Sequence, residues 1–241
     1  MEEAELKDIL TQHDHGRRAT LLAVIAVASV VLWQTSIGGL VLYPFTILAT
    51  WFHEMGHGLT ALLTGSSFEH LVVFADGSGY AVSTTDGGRV TRALVAAGGP
   101  LGPAIAGSLL IVASRTTSSS RLALEILGWA LIASTVIWVR SVIGWVVLPS
   151  LGLAIIALER LAKPSVHRLA VQILGVQACI SVWRQFDYLF SSGGYVGGQA
   201  ARSDTAAIAD VLLLPYWFWG ALISAGIVAL LWWSLRTAFR R

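Results

Sequence analysis

The sequence predicts an all-α polytopic membrane protein with six or seven transmembrane helices and a small β-hairpin after the second apolar block. Three observations predict it. The 241 residues are 55% hydrophobic and only 12% charged, about half the charge of an ordinary soluble domain. The apolar residues are gathered in blocks that approach or exceed the roughly 20 residues a helix needs to span lipid. One segment, 68–89, breaks this pattern with strand-forming alternation.

The organisation follows in chain order. Residues 1–18 form a polar segment of mixed charge (Glu2, Glu3, Glu5, Lys7 and Asp8, then Arg17 and Arg18). A cleaved secretory signal starts short and positive, so the apolar run 19–35 is expected to be retained as a helix, and 19–241 to form a single membrane domain. Further apolar blocks fall at 40–64, 92–113, 122–158, 169–190 and 211–235. Gly38-Gly39 and Pro44 part the first two. In the β-prone surface segment 68–89, Leu71-Val72-Val73-Phe74 and Tyr80-Ala81-Val82-Ser83-Thr84 flank Asp76-Gly77-Ser78-Gly79, two strands around turn residues. Residues 114–121 are a polar loop, and the Gly/Ser-rich run 191–205 is expected to be a flexible loop.

Block 122–158 is too long for one straight crossing, and Arg140 lies in its middle. Two helices closed by a tight turn near Arg140 give seven crossings. The Lys/Arg balance with the N-terminus inside prefers six, with part of the block re-entrant or in-plane. Both counts stay open. The ten Trp and five Tyr mostly cluster near segment ends, as in Tyr216-Trp217-Phe218-Trp219 and Trp232-Trp233, where they read as interfacial belts.

Several functions are disfavoured at once. A formal net charge of +2 without a basic stripe argues against nucleic acid as a partner. The lone Cys179 leaves no intramolecular disulfide and no Cys-x-x-Cys pair for metal or redox chemistry.

The chemistry is carried by His53-Glu54-Met55-Gly56-His57, set between Ile47-Leu48-Ala49-Thr50-Trp51-Phe52 and Leu59-Thr60-Ala61-Leu62-Leu63. Residues at i and i+4 share one helical face, so His53 and His57 can bind one Zn²⁺ while Glu54 reaches the open coordination position as general acid and base. Three ionisable residues within five positions of an apolar helix are expensive and mark a functional site. His57 lies about 9 Å along the helix from its end near Leu63, recessed yet within reach of water.

The chain here resembles the site-2 proteases, intramembrane zinc metalloproteases, and in particular their compact branch without a regulatory domain. The resemblance rests on His-Glu-Met-Gly-His-Gly in an apolar helix, on the β-prone Gly-containing segment after it, and on Gly98-Gly99-Pro100-Leu101-Gly102-Pro103 opening the next helix. These features cover about residues 44–110. The family's Asn near its Gly-Pro-Leu element has no counterpart, as Gly102-Pro103 stand there. Gly98, Gly99, Gly102, Ala104, Ala106 and Gly107 make a smooth surface expected to seat the motif helix.

The resemblance implies cleavage of peptide bonds in transmembrane or membrane-proximal substrates. It implies Zn²⁺ as cofactor, Glu54 as catalytic base, and Gly79, Gly99 and Pro100 among the substrate-binding positions. The substrate would be a membrane protein or peptide, unwound to an extended form that pairs with an edge of the 70–84 segment. The expected location is the cell membrane, and with the N-terminus inside the site lies toward the cytoplasmic side. The resemblance also implies an Asp from a later membrane helix as third metal ligand, but the family's Asn-Pro-x-x-Asp-Gly form is absent. Asp187, in apolar Val182–Phe190, is the expected ligand, with Asp204 next and Asp210 and Glu125 behind. His13, His15, His70 and His167 lie near segment ends or in loops. They read as solvated or interfacial, although His70 is close enough in sequence to approach the site. The alternative is a non-catalytic membrane scaffold or transporter keeping the fold, although the repeat symmetry of a transporter is not visible.

Overall fold

The computed structural model describes residues 20, 23–184 and 186–239. The polar segment 1–18, with His13 and His15, lies outside the described residues. Five described helices are long and apolar enough to cross a membrane, and two small antiparallel hairpins accompany them. The chain is thus the all-α polytopic protein with a β-hairpin that its composition predicts.

A short apolar helix α1 (Ala23–Trp33) and one turn and a half of α2 (Ser36–Val41) lead into α3 (Tyr43–Leu63), which carries the motif. Pro44 stands in the first turn of α3, where its missing N–H costs nothing. The helix ends at Thr64, and Gly65 follows at φ +79°, the left-handed conformation that glycine takes without strain. Trp51, two residues before the motif, donates its indole N–H to Ser134 Oγ at 2.9 Å.

Strands β1 (Ser67–Val73) and β2 (Gly79–Thr84) pair in the register Val73↔Gly79 to Ser67↔Thr84. The expected surface position is only half right. Leu71 and Val73 are fully buried with the helices' Ile47, Leu124, Leu131 and Leu148, and Leu71 forms a parallel bridge with Val139. One edge of the hairpin is therefore committed to the helical core. The outer edge of β2 has no strand beside it among the described residues.

Helix α4 (Arg89–Ala113) is followed by α5 (Thr117–Trp138) and α6 (Val142–Leu161). The long block 122–158 is thus two helices, the division that seven crossings require. The break at Val139-Arg140-Ser141 has a local cause. The Arg140 N–H donates to Leu71 O, outside the helix, and its guanidinium donates to Val139 O and Ile137 O. The two helices lie antiparallel. Gly128 and Gly152 pack backbone to backbone, and Arg121 pairs with Glu159 at the far end at 2.7 Å.

Helix α7 (Pro164–Arg184) packs on α4, where a Cβ at Gly107 would lie 2.8 Å from Gly175 O. Gln177 of α7 donates to Ser29 Oγ of α1 at 2.6 Å. The glycine surface of α4 is consequently shared. Gly98 and Gly102 meet α3, whereas Gly107 meets α7. Small residues spaced along one helix let two neighbours approach on different faces.

The expected loop 191–205 is folded instead. After α8 (Phe186–Leu189), strands β3 (Gly193–Val196) and β4 (Gln199–Arg202) pair in register around Gly197-Gly198, and α9 (Asp204–Val211) begins directly afterwards. Both turn glycines have positive φ, +56° and +78°, which a two-residue hairpin turn of type I′ demands. Helix α10 (Tyr216–Phe239) closes the chain.

Candidate metal centre

Backbone-to-backbone packing of α3 on α4 builds the site. A Cβ at Gly56 would lie 2.2 Å from Gly98 O, and one at Gly102 would lie 2.3 Å from Phe52 O. At that separation Gly99 lies directly against the imidazoles. A Cβ there would be 2.1 Å from His57 Nε2 and 2.7 Å from His53 Nε2. The contact explains a glycine at this position: any side chain would occupy the space of the two rings.

His53, His57 and Asp204 converge. His53 Nε2 is 3.1 Å from Asp204 Oδ2, and His57 Nε2 is 3.3 Å from Asp204 Oδ1. They are a group of His, Asp, Glu or Cys side chains able to hold one metal ion, with ligand atoms all within 4.8 Å of one another. The His57 ring is oriented from behind, its Nδ1 2.7 Å from Val95 O on α4. A carbonyl can only accept, so Nδ1 carries a proton, which leaves Nε2, on the carboxylate side, as the nitrogen able to ligate a metal. His53 Nδ1 and Asp204 Oδ2 are buried without a hydrogen-bond partner.

This donor set fits a zinc ion. Zn–N and Zn–O bonds of about 2.0–2.1 Å place tetrahedral ligand atoms about 3.4 Å apart, close to the separations found. Two imidazoles and a carboxylate are the ligand types zinc takes, and a buried carboxylate oxygen with no donor is a group short of a partner.

Glu54 lies beside the cluster, 5% exposed. Gly79, Tyr80 and Ala81 of β2 line the same cavity as Glu54, so β2 borders the motif. Gly79 permits this approach. A Cβ there would be 2.7 Å from Thr50 Cγ2 and 3.3 Å from Glu54 Cγ. Gly77, at φ +86°, turns the chain against Thr46, and the Thr50 hydroxyl donates to its carbonyl.

A cavity of about 790 Å³ joins these groups. His53, Glu54 and His57 of α3 line it, with Gly77 to Ala81 along the first hairpin, Tyr195, Val196, Ala201 and Arg202 from the second, Arg92, Val95 and Ala96 from α4, and Tyr188. The hairpins touch at their tips, where the Gly197 N–H donates to Ser78 Oγ at 2.9 Å.

Asp204 reaches the imidazoles because its segment is tied down on both sides. Ser203 caps α9 by accepting from the Ala206 N–H, and its hydroxyl donates to Ser191 O at 2.6 Å. Thr205 donates to Leu189 O, and the Tyr188 hydroxyl donates to Arg202 O at 3.0 Å. Burial, with the charges of Asp204 and Glu54 adding to it, pushes the Tyr188 phenol up, so it stays a protonated donor.

The sequence-predicted residues are thus partly brought together. His53, Glu54 and His57 share one cavity wall, and Gly79 borders it. Asp187 is not with them. It lies exposed on α8, and Asp204, the second choice, stands between the histidines. The physical reason is the second hairpin, which carries the chain back from α8 to the motif. Gly99 abuts the imidazoles and Pro100 is buried in α4, and neither is among the residues that line the cavity. Pro100 acts at one remove. Lacking an N–H, it leaves the carbonyl of Ala96, which does line the cavity, without its helical donor. Asp210 pairs with Arg202 at 2.6 Å, His70 stacks edge-on near Tyr80, and His167 is buried. None of these three belongs to the cluster. Tyr188 escaped the sequence reading altogether.

An apolar multi-helix chain with a buried His-Glu-x-x-His face completed by an aspartate defines a membrane protein of metallopeptidase type. A family model described as Peptidase M50B-like matches residues 22–234, nearly the whole chain, and the protein belongs to that family. The M50 peptidases are metalloproteases, in keeping with the resemblance to site-2 proteases. No curated protein and no solved structure matches the chain.

Proposed function

We propose that this protein is an intramembrane zinc metalloprotease that hydrolyses peptide bonds of transmembrane or membrane-proximal substrates. The observation that carries the reading is the convergence of His53 Nε2, His57 Nε2 and the Asp204 carboxylate in the cavity that also holds Glu54. Those three side chains would hold the metal. Zinc, when bound, supplies a Lewis acid that activates water and polarises a carbonyl.

The chain's own residues do the rest. Val95 fixes the His57 tautomer so that the ring can act as a ligand. Glu54, which lines the cavity, takes a proton at its carboxylate and returns it to the leaving amine. The outer edge of β2 from Gly79 to Ser83 offers main-chain groups to an extended peptide, the β-addition mode of recognition. A helical substrate must unwind to use it, because its own carbonyls are otherwise engaged. A membrane protein or peptide is the partner, and the surrounding bilayer supplies it laterally.

The test is metal content joined to one substitution. Purified protein should carry one zinc per chain, lost in His53→Ala. Glu54→Gln should keep the zinc and lose cleavage of a transmembrane peptide by at least about a hundredfold. Well-folded protein without zinc would support the scaffold alternative, and normal cleavage by Glu54→Gln would sink the mechanism.

A further inference from the structure

Helix α8 and the start of α9 are stitched together residue by residue. Arg202, Ser203 and Thr205, which bracket Asp204, each bond to the stretch 188–192. Ser203 and Thr205 are fully buried and are not among the residues that line the cavity. Tyr188 differs from them. Its phenol lines the cavity with His53, His57 and Asp204, and its ring lies beside the second hairpin, where a Cβ at Gly194 would be 3.4 Å from Tyr188 Cδ2.

We propose that Tyr188 is a positioning residue for the metal centre: its hydroxyl, bonded to the Arg202 carbonyl, sets the turn that aims the Asp204 carboxylate at His53 and His57. The inference deepens the proposed zinc reading and rests on it. Residue 204 opens a helix just after a hairpin, where one peptide unit's rotation would swing the carboxylate off the imidazoles. The two side-chain pins hold where Ser203 and Thr205 sit. The phenol holds the Arg202 carbonyl, in the peptide unit that leads through Ser203 into Asp204. Groups that orient a ligand without touching the metal typically carry ten- to a hundredfold in metal affinity.

The experiment uses the full chain in detergent, with zinc itself as probe. Zinc affinity is measured by competition with a chelator for wild type, Tyr188→Phe and Tyr195→Phe, and the d–d spectrum of each is recorded with cobalt(II) in place of zinc. Folding is followed by circular dichroism and thermal unfolding. Tyr188→Phe should fold as wild type, bind zinc about tenfold more weakly and give an altered cobalt spectrum. Tyr195→Phe, which alters another cavity tyrosine, should match wild type in all three. A folded Tyr188→Phe with wild-type affinity and spectrum overturns the inference alone. So does an equal loss in Tyr195→Phe, or a Tyr188→Phe chain that no longer folds, since the hydroxyl would then support the hairpin rather than aim the ligand. A folded wild-type chain that binds no zinc overturns the metal centre first, and this inference with it.

Discussion

The Nδ1 nitrogen of His57 donates to the carbonyl oxygen of Val95 at 2.7 Å, and this bond ties the metal-facing nitrogen of α3 to the backbone of α4. The pair of helices is therefore one device. The glycines that let the backbones approach are the same feature that lets a main-chain carbonyl serve as the imidazole's partner. A histidine ligand normally donates its second ring N–H to such an acceptor, and here the acceptor comes from packing rather than from a dedicated carboxylate.

Gly99→Ala tests that arrangement. The new Cβ would lie 2.1 Å from His57 Nε2 and 2.7 Å from His53 Nε2, so the rings must move. Alanine is otherwise favoured over glycine in a helix by about 1 kcal/mol, so the helix itself gains. The expected result is a folded protein whose zinc content falls at least about tenfold, read by metal analysis after dialysis. Gly39→Ala, with nothing within 4 Å of its Cβ, is the control and should keep its zinc. Full zinc in Gly99→Ala would show that the rings do not depend on this space.

Asp204→Ala and Asp187→Ala separate the two carboxylates that the sequence could not. Asp204 stands 3.1 Å and 3.3 Å from the two imidazoles, whereas Asp187 is exposed on α8. Removing one of three ligands should reduce zinc binding beyond detection at micromolar metal, and cleavage with it. Asp187→Ala should bind zinc as wild type does. The reverse pattern would return the ligand to Asp187.

The contrast between these aspartates shows what the sequence made legible. The apolar blocks gave the helices because burial in lipid demands length and composition, both of which are local. A break at Arg140 was only one of two readings, against a re-entrant or in-plane segment, and the structure shows its cause: the guanidinium finds acceptors at a helix end, on Ile137 and Val139. His53, Glu54 and His57 were readable because the helical period puts ligands on one face. The third ligand was not, because it depends on a return path. Asp187 was preferred for its apolar neighbours in sequence, yet α8 turns it outward. Asp204 arrives through a hairpin hidden in a Gly/Ser-rich run. One signal for it was present: Tyr195-Val196 and Gln199-Ala200 flank Gly197-Gly198, a two-residue glycine turn between short strands. The Tyr188 contact had no sequence signal, since it joins residues that only the folded hairpin brings together.

The contact between the hairpin tips yields a prediction with a pH dependence. Ser78 donates its hydroxyl to Asp76 Oδ1 at 2.6 Å and accepts the Gly197 N–H on the same oxygen at 2.9 Å. The Asp76 carboxylate thus orients the hydroxyl that holds the second hairpin, and the hydroxyl and amide of Ser78 in turn hold that carboxyl below the usual aspartate range. The sign follows from the direction. A carboxyl whose folded value is lowered contributes fully above its ordinary value and loses its contribution as pH falls through the lowered one. The tip contact should therefore persist through neutral and mildly acidic pH and loosen only below the ordinary aspartate range. Amide hydrogen exchange at Gly197, expressed as a protection factor so that the intrinsic pH dependence cancels, reads it directly. Ser78→Ala removes the acceptor and should lower Gly197 protection about fivefold at neutral pH, the equivalent of a hydrogen bond worth about 1 kcal/mol. Asp76→Asn should lower it less, because the Ser78 oxygen remains. Protection at Gly197 that is unchanged in Ser78→Ala would mean that the second hairpin is held over the cavity by β3–β4 pairing and by Phe74 packed against Gly197, and not by this bond.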